Sequence, residues 1–256
     1  MKLRNRSLDH ICLHQWYWQK FIDDAITSVS KFNLSPCPLS SEFLDKKVLS
    51  GPRNKPFHVS VQTWAGSTDK LKLARAACIK AGDHTDVLNF VLIPSPQYDL
   101  PFFGADFVSL PSGHLIALDL QPVLRNDLTH FRLLWEGLAP IFNQWSKEFP
   151  FGGRIPDEAK KYFSPGFLWT KLPLDVNSDQ LIQSKLLPAF NAYLSLYIDL
   201  LEKSELVSSK RSELLYSGQK EYLEYRAAKD PARAMLTRFF GSSWTEEYIH
   251  EVLFKL

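Results

Sequence analysis

Two carboxylates stand in the most informative stretch of the chain, residues 98–122, which has the sequence YDLPFFGADFVSLPSGHLIALDLQP. Asp106 and Asp119 each lie in an otherwise apolar segment that is typical of a β-strand. Because burying an ionised carboxylate is costly, such a group is usually paired, hydrogen-bonded or held protonated. A protonated buried acid next to a ligand cavity would be a potential proton donor.

Asp230 is a third acid whose surroundings carry information. The following Pro231 biases it away from helical backbone angles, so we expect it in a loop after a helix that ends near Ala228. Asp followed by Pro at the first helical position is also a common helix start, so Asp230 could instead cap a helical stretch over residues 232–238. Both interpretations stay open on these residues alone.

Metal chemistry has little support in the sequence. His10 and His14 have an i, i+4 spacing that two ligands on one helix face would show, but no HExxH pattern surrounds them. We interpret the spacing as chance and predict no metal site. Cys12, Cys37 and Cys78 are widely spaced and odd in number, so neither a disulfide framework nor a cysteine zinc site is indicated.

The acids must be positioned by a hairpin and by helices on either side of it. Pro111-Ser112-Gly113 predicts a turn that joins two antiparallel strands over residues 106–110 and 114–120. Apolar spacing predicts further strands over residues 57–65, 86–94 and 167–173. It predicts helices over residues 16–31, 130–149, 179–206 with a kink at Pro188, 208–228 and 245–254.

The composition is that of one globular domain over residues 1–256, with residues 1–15 expected as a loosely ordered N-terminal extension. Strands massed in the middle with helices before and after them indicate an α+β fold. No apolar run approaches the ~20 residues that span a bilayer, so we expect no membrane partner. The net charge of +2 gives no reason to expect nucleic acid.

Residues 98–122 resemble the ferredoxin-dependent bilin reductases, and the resemblance covers nearly everything after about Trp16, in order. It continues through VLNFVLIP (87–94), FSPGFLW (163–169), KDPAR (229–233) and FFGSSWTEEYI (239–249). The family implies a three-layer α/β/α sandwich around a central antiparallel sheet. It also implies a linear tetrapyrrole substrate, reduced ferredoxin as the external electron donor, and no bound flavin, metal or nicotinamide.

The resemblance assigns roles to the two acids. Gly104-Ala105-Asp106 matches the GxD context of the family's central catalytic aspartate, so we expect Asp106 to donate a proton. Asp119 has no such match and is left as structural. An aspartate in the segment of Asp230 faces the substrate from the side opposite the sheet in this family, which favours a catalytic role for Asp230 as well.

Three further residues are expected to bind the substrate. Relatives that reduce the D-ring vinyl group carry a histidine at the strand position of Asn89. An amide is no general acid, although it can hydrogen-bond pyrrole nitrogens or lactam oxygens. Arg154 and Arg233 are candidates to clamp the two propionates, because guanidinium matches a carboxylate bidentately. A structural asparagine and surface arginines are the alternatives.

These features favour the branch that reduces the A-ring diene system of 15,16-dihydrobiliverdin to phycoerythrobilin. The alternatives are the preceding step, reduction of biliverdin at its 15,16 bridge, and a non-catalytic bilin carrier. Partners would be ferredoxin, the bilin and, for substrate transfer, the preceding bilin reductase. The compartment would be the cytoplasm of a cyanobacterium or the plastid stroma of an alga.

Because ferredoxins are acidic, the docking face should be basic. The sequence offers two candidate clusters, namely Lys70, Lys72, Arg75 and Lys80, and separately Lys210 with Arg211.

Overall fold

The computed structural model describes residues 6–255, and within them one antiparallel sheet of eight strands carries helices on both faces. The strands are β1 (Ser35–Pro36), β2 (Asp45–Ser50), β3 (Phe57–Ser67), β4 (Leu71–Ala81), β5 (Thr85–Pro94), β6 (Phe102–Leu110), β7 (Gly113–Gln121) and β8 (Leu168–Leu172). The helices are α1 (Gln19–Ser30), α2 (Ser41–Leu44), α3 (Leu128–Trp145), α4 (Asp157–Lys160), α5 (Val176–Leu181), α6 (Leu187–Lys203), α7 (Ser209–Lys229), α8 (Arg233–Phe240) and α9 (Ser242–Tyr248).

Strands β3 to β7 form an antiparallel meander, with each strand paired to the next along the chain. The predicted meander contained β3, β5, β6 and β7, and the structure adds β4 between β3 and β5. β8 returns after the third helix and its neighbours to pair with β7, while β1 and β2 both pair with β3 at the other edge. The strands β1, β2 and β4 were not predicted from the sequence. β4 is central to the sheet, so this omission matters for the site.

The turn between β6 and β7 requires glycine at position 113. Gly113 has φ +130°, and a Cβ atom there would lie 2.4 Å from the carbonyl oxygen of Leu172. A side chain would therefore meet both backbone strain and a clash with β8. The hairpin predicted from Pro111-Ser112-Gly113 is confirmed.

The two faces of the sheet have separate cores, because side chains alternate along each strand. On β5, Leu88, Phe90 and Leu92 lie in the core formed with α1, α3 and α6. Val87 and Ile93, which point the other way, lie in the core formed with α7, α8 and α9. The α+β class and the three-layer α/β/α sandwich are therefore confirmed.

The predicted kink at Pro188 coincides with an irregular turn. A π-helical turn over Ile182–Leu186 joins α5 to α6, and the N–H of Leu187 bonds to the carbonyl of Ile182, five residues earlier. Proline lacks an N–H group and interrupts the regular ladder, which is a common setting for such turns.

Part of the N-terminal extension packs on the sheet. Ile11 and Leu13 are 2% and 7% exposed, and the indole N–H of Trp16 donates to the carbonyl of Ile79 at 3.0 Å. Residues 1–5 lie outside the described residues, so for them the expected loose order stays a prediction. Within residues 6–255 no helix is long and apolar enough to cross a membrane.

Candidate functional site

A cavity lies between the second face of the sheet and helix α7, and we call it the inner cavity. Its floor is made by alternate residues of β5, β6 and β7, namely Asn89, Val91, Ile93, Phe102, Gly104, Asp106, Ala117, Asp119 and Gln121. Its other walls include Phe163, Phe167, Tyr222, Leu223, Arg226, Leu253 and Phe254. The volume is about 80 Å³, which holds only part of a multi-ring ligand.

A second, outer cavity of about 300 Å³ shares four wall residues with the inner one, namely Phe163, Phe167, Tyr222 and Arg226. Its rim includes Arg154 and Trp169. A long conjugated ligand would have to occupy both spaces, with its inner end above the sheet.

Gly104 leaves the floor of the inner cavity open. It stands directly across from Asp119 in the register between β6 and β7. A Cβ atom at this position would lie 3.5 Å from Oε1 of Gln121. Because glycine has no side chain, a planar group can approach the sheet closely between Asp106 and Phe102.

Asp106 faces the inner cavity from β6, as the sequence predicts for a catalytic acid. Its neighbours across the sheet are Asn89 on β5 and Ala117 on β7. Burial raises the pKa of Asp106 above its ordinary value, and the charge of Asp230 adds to this rise. Arg226, a hydrogen bond with Asn89 and Arg75 act in the opposite direction. The net rise makes the Asp106 carboxyl a better store of a proton than an exposed aspartate.

Asp230 follows the end of α7, and its side chain is 5% exposed. Its Oδ1 accepts a hydrogen bond from the N–H of Ala232 at 2.7 Å, and its Oδ2 lies 3.5 Å from Nη2 of Arg226. The residue thus forms the turn into α8 and also touches a wall residue of both cavities. It does not itself line either cavity, so Arg226 stands between it and the ligand space.

Arg226 is a cavity residue that was not predicted from the sequence. It lines both cavities and lies one turn from Tyr222, which does the same, and one turn before Asp230. An i, i+4 row of aromatic, cationic and acidic residues is the signal that could have revealed this helix face.

The two predicted propionate clamps have different surroundings. Arg154 is on the rim of the outer cavity, where its side chain is 82% exposed and pairs with Asp157 at 3.1 Å. Arg233 lines neither cavity. Its guanidinium donates to the carboxylate of Glu246 and to the carbonyl of Ala227, so it joins α7, α8 and α9.

Asp119, which the sequence left as structural, also lines the inner cavity. Its carboxylate accepts hydrogen bonds from the N–H of Ser164 at 2.8 Å and from the hydroxyl of Ser164 at 2.5 Å. Burial raises the pKa of Asp119 to about 7, although these bonds oppose the rise. The contacts fix the loop that carries Phe163 and Phe167. The two rings are stacked, with their centroids 3.9 Å apart, and both line the inner cavity.

His10 and His14 do not lie in a helix, so the helical spacing that suggested a shared face does not apply to them. Among residues 6–255 no group of three or more His, Cys, Asp or Glu side chains is placed to hold a metal ion.

Comparison with known proteins gives one consistent result. The family model described as ferredoxin-dependent bilin reductase matches residues 22–255. The phycoerythrobilin:ferredoxin oxidoreductase of Synechococcus sp. (strain CC9311) is 52% identical over 99% of this chain and 98% of that protein. The protein of the same name from Parasynechococcus marenigrum (strain WH8102) is 54% identical over 99% and 97%.

The solved structure of phytochromobilin synthase from tomato in complex with biliverdin is similar at a TM-score of 0.82 and 27% identity. It covers 93% of this chain and 82% of the tomato chain. The resemblance stated from the sequence is confirmed, and the chain belongs to the ferredoxin-dependent bilin reductase family of oxidoreductases.

Proposed function

We propose that this protein reduces the A-ring diene system of 15,16-dihydrobiliverdin by two electrons to give phycoerythrobilin, with reduced ferredoxin as the donor and no bound cofactor. The observation that carries the proposal is the Asp106 carboxyl, which faces the inner cavity beside the amide of Asn89 and has a raised pKa. The name shared by the full-length relatives agrees with this reaction.

The chemistry balances with two electrons from ferredoxin and two protons from the protein. Each electron makes the conjugated bilin more basic, and a proton transfer then neutralises it. Asp106 donates from the sheet side. Asp230 donates the second proton from the α7 side, where its contact with Arg226 connects it to the cavity wall. Both acids recover their protons from solvent.

The walls suit a flat molecule with anionic side chains. Phe163, Phe167 and Tyr222 offer aromatic surface to the tetrapyrrole. Arg154, Arg226 and Lys229 are the cations available to the propionates, since they line the outer cavity. Arg233 would need to leave Glu246 before it could act as a clamp. Asn89 hydrogen-bonds the bilin from the floor.

An anaerobic assay tests the reaction, with reduced ferredoxin and either biliverdin or 15,16-dihydrobiliverdin as the only bilin. We expect product only from dihydrobiliverdin, identified as phycoerythrobilin by chromatography. Conversion of biliverdin to dihydrobiliverdin would instead assign the preceding step. Tight binding of both bilins without turnover would identify a carrier. Adding the preceding reductase at substoichiometric bilin would then measure whether substrate passes between the two enzymes.

A further inference from the structure

Arg75 on β4 is a buried cation beside the inner cavity. Its side chain is 0% exposed, and its hydrogen bonds go to neutral oxygens only. Nη1 donates to the main-chain oxygen of Asn89 at 3.0 Å and to its Oδ1 at 2.6 Å, while Nη2 donates to the carbonyl of Leu253 at 3.3 Å. Its Nε has no partner among the described residues. Burying a charge without a contacting carboxylate is costly, so the arrangement calls for an explanation.

The contact with Arg75 decides which way the Asn89 amide points. A guanidinium carries five donors and no acceptor, so the amide atom that faces it has to be the oxygen. The NH2 group of Asn89 is therefore turned toward the remaining neighbour, Asp106, which is its register partner on β6. Hydrogen bonding from Asn89 is accordingly one of the causes that lower the pKa of Asp106.

We propose that Arg75 is a positioning residue that holds the Asn89 amide with its NH2 group toward Asp106 and the bilin. The inference rests on the proposed function, in which Asp106 donates the proton. Asn89 then acts in the cavity as a donor, to the Asp106 carboxylate or to a lactam oxygen of the bilin, and not as an acceptor for a pyrrole N–H. If the amide were flipped, its oxygen would face Asp106. Because that oxygen can only accept a hydrogen bond, it would favour the protonated form of the Asp106 carboxyl.

Several charged or titratable groups face Asp106, and a pH measurement has to allow for all of them. They are Arg75 on β4, Asp119 on β7, Tyr222 and Arg226 on α7, and Asp230 after α7. Removing Arg75 acts on Asp106 in two ways, because a positive charge and a fixed amide donor are both lost. Both losses favour the protonated carboxyl, so they raise its pKa.

The test is an infrared pH titration of the Asp106 carboxyl in the ligand-free enzyme, with its band assigned by difference against Asp106→Asn. Arg75→Met keeps the apolar stem and removes every donor, whereas Asn89→Ala removes the amide. We expect each variant to raise the midpoint, Arg75→Met by at least about one pH unit. The double variant should shift the midpoint by less than the sum of the single shifts, because the two residues act partly through one contact.

Lys70→Met is the matched control. The Nζ of Lys70 donates to the carbonyls of Leu201, Glu202 and Ser204 at 2.8–3.0 Å, so this cation is equally engaged, but it lines neither cavity. Its loss should lower the melting temperature and leave the Asp106 midpoint unchanged. A shift of equal size in Lys70→Met would overturn the proposal, since the effect would then reflect general loosening of the fold.

Two other outcomes would also overturn it. An unchanged Asp106 midpoint in Arg75→Met would show that Arg75 has only a structural role. Strictly additive midpoint shifts in the double variant would show that Arg75 acts on Asp106 only through its charge and not through Asn89. If Arg75→Met does not fold, Arg75→Lys keeps the charge without the rigid fork and should give a smaller upward shift, whereas a wild-type midpoint would refute the positioning role. If the titrations behave as expected but Asp106→Asn still makes phycoerythrobilin, the positioning stands and the proton-donor assignment fails.

Discussion

At the residue scale, two guanidinium groups and three carboxyls lie at or next to the inner cavity. Arg226, Asp106 and Asp119 line it, whereas Arg75 and Asp230 contact its wall residues Asn89 and Arg226. If Asp106 and Asp230 both hold a proton before the reaction, as proposed, the two guanidinium groups outnumber the ionised carboxylates whether or not Asp119 is ionised. An electron that arrives on a bound bilin then lowers this positive excess. A proton given up by Asp106, as we propose, would move within the cavity and leave the total charge unchanged, which suits a site of low dielectric constant.

Asp106→Asn should still bind dihydrobiliverdin but lose most product formation. Asparagine keeps the size of the side chain and its hydrogen bonding while removing the transferable proton. General acid catalysis typically contributes ~10²–10⁴ in rate, so single-turnover product formation should fall by a factor in that range. Binding is followed by bilin absorbance and product by chromatography. Near wild-type turnover would remove Asp106 from the mechanism.

Asp230→Asn separates the turn-forming role of Asp230 from its catalytic role. An amide oxygen can still accept the N–H of Ala232, so the turn and the fold should be kept, although loss of the ion pair with Arg226 should lower the melting temperature. Phycoerythrobilin yield should collapse or be redirected to another isomer, since the second proton is missing. The matched control is Asp175→Asn, because Asp175 accepts the N–H of Ser178 at 2.7 Å and lines neither cavity. Normal product from Asp230→Asn would show that this aspartate only shapes the turn.

At the scale of elements, the apolar segments of the hairpin and the turn chemistry of Gly113 were enough to predict β6 and β7, whereas the expectation that Asp106 meets the substrate came from the resemblance to the family. β4 escaped prediction because Lys72, Arg75 and Lys80 interrupt its apolar pattern. No local pattern could show that one of these cations is buried and bonded to Asn89, since that contact joins two strands.

The loop after α4 makes another contact that no local sequence pattern could show. Ser164 was noticed only as part of a family-like segment, and Asp119 only as a carboxylate in a strand. The structure joins them across 45 positions of sequence, and the bond holds Phe163 and Phe167 at the cavity. Arg233 is the converse case, because helix packing pairs it with Glu246 instead of bringing it to the ligand space.

Asp119→Asn should change how stability depends on pH. The folded-state pKa of about 7 lies above the ordinary value of about 3.9, so between these limits the folded protein binds the proton more tightly. The stabilisation linked to this proton is complete below pH ~4 and is lost as the pH rises through 7. Asparagine does not titrate, so the variant lacks this loss. As the pH rises through this window, the free energy of unfolding of the variant should therefore increase relative to that of the wild type, by up to about 1.4 kcal/mol per pH unit.

Urea unfolding of both proteins at several pH values measures this difference. The other buried acids are present in both proteins and cancel, and any hydrogen bond that asparagine fails to make with Ser164 adds an offset independent of pH. Parallel stability curves between pH 4 and 8 would contradict the assignment of a raised pKa to Asp119.

At the scale of the whole molecule, the fold pairs or buries several of the cations that the sequence suggested for an exposed basic face. Both basic clusters predicted to meet ferredoxin contain engaged cations. Lys70 binds the end of α6, Lys80 pairs with Asp86 at 3.1 Å, and Arg211 pairs with Asp99 and Asp127. Arg75 is buried. Those clusters therefore have few cations left for a partner.

Turnover at limiting ferredoxin should nevertheless fall as ionic strength rises, because an acidic donor is drawn to the remaining basic surface and salt screens that attraction. Affinity for the bilin should change less, since most of its binding comes from apolar burial. Initial rates across a salt series, beside bilin titrations in the same buffers, measure both. A rate that does not respond to salt would argue against electrostatic docking.

The two-sided sheet has a consequence for how this family can diverge. Along β5, β6 and β7 the residues that line the inner cavity alternate with residues that hold the core on the other side, as Asn89 does with Phe90. A substitution at 89, 104 or 121 can alter the chemistry without disturbing the neighbours that keep the scaffold folded. Inserting one residue into a strand would exchange the two sets and destroy both. If the cavity residues bind the bilin as proposed, single replacements at these positions can change the site of reduction, while the lengths of these strands stay fixed.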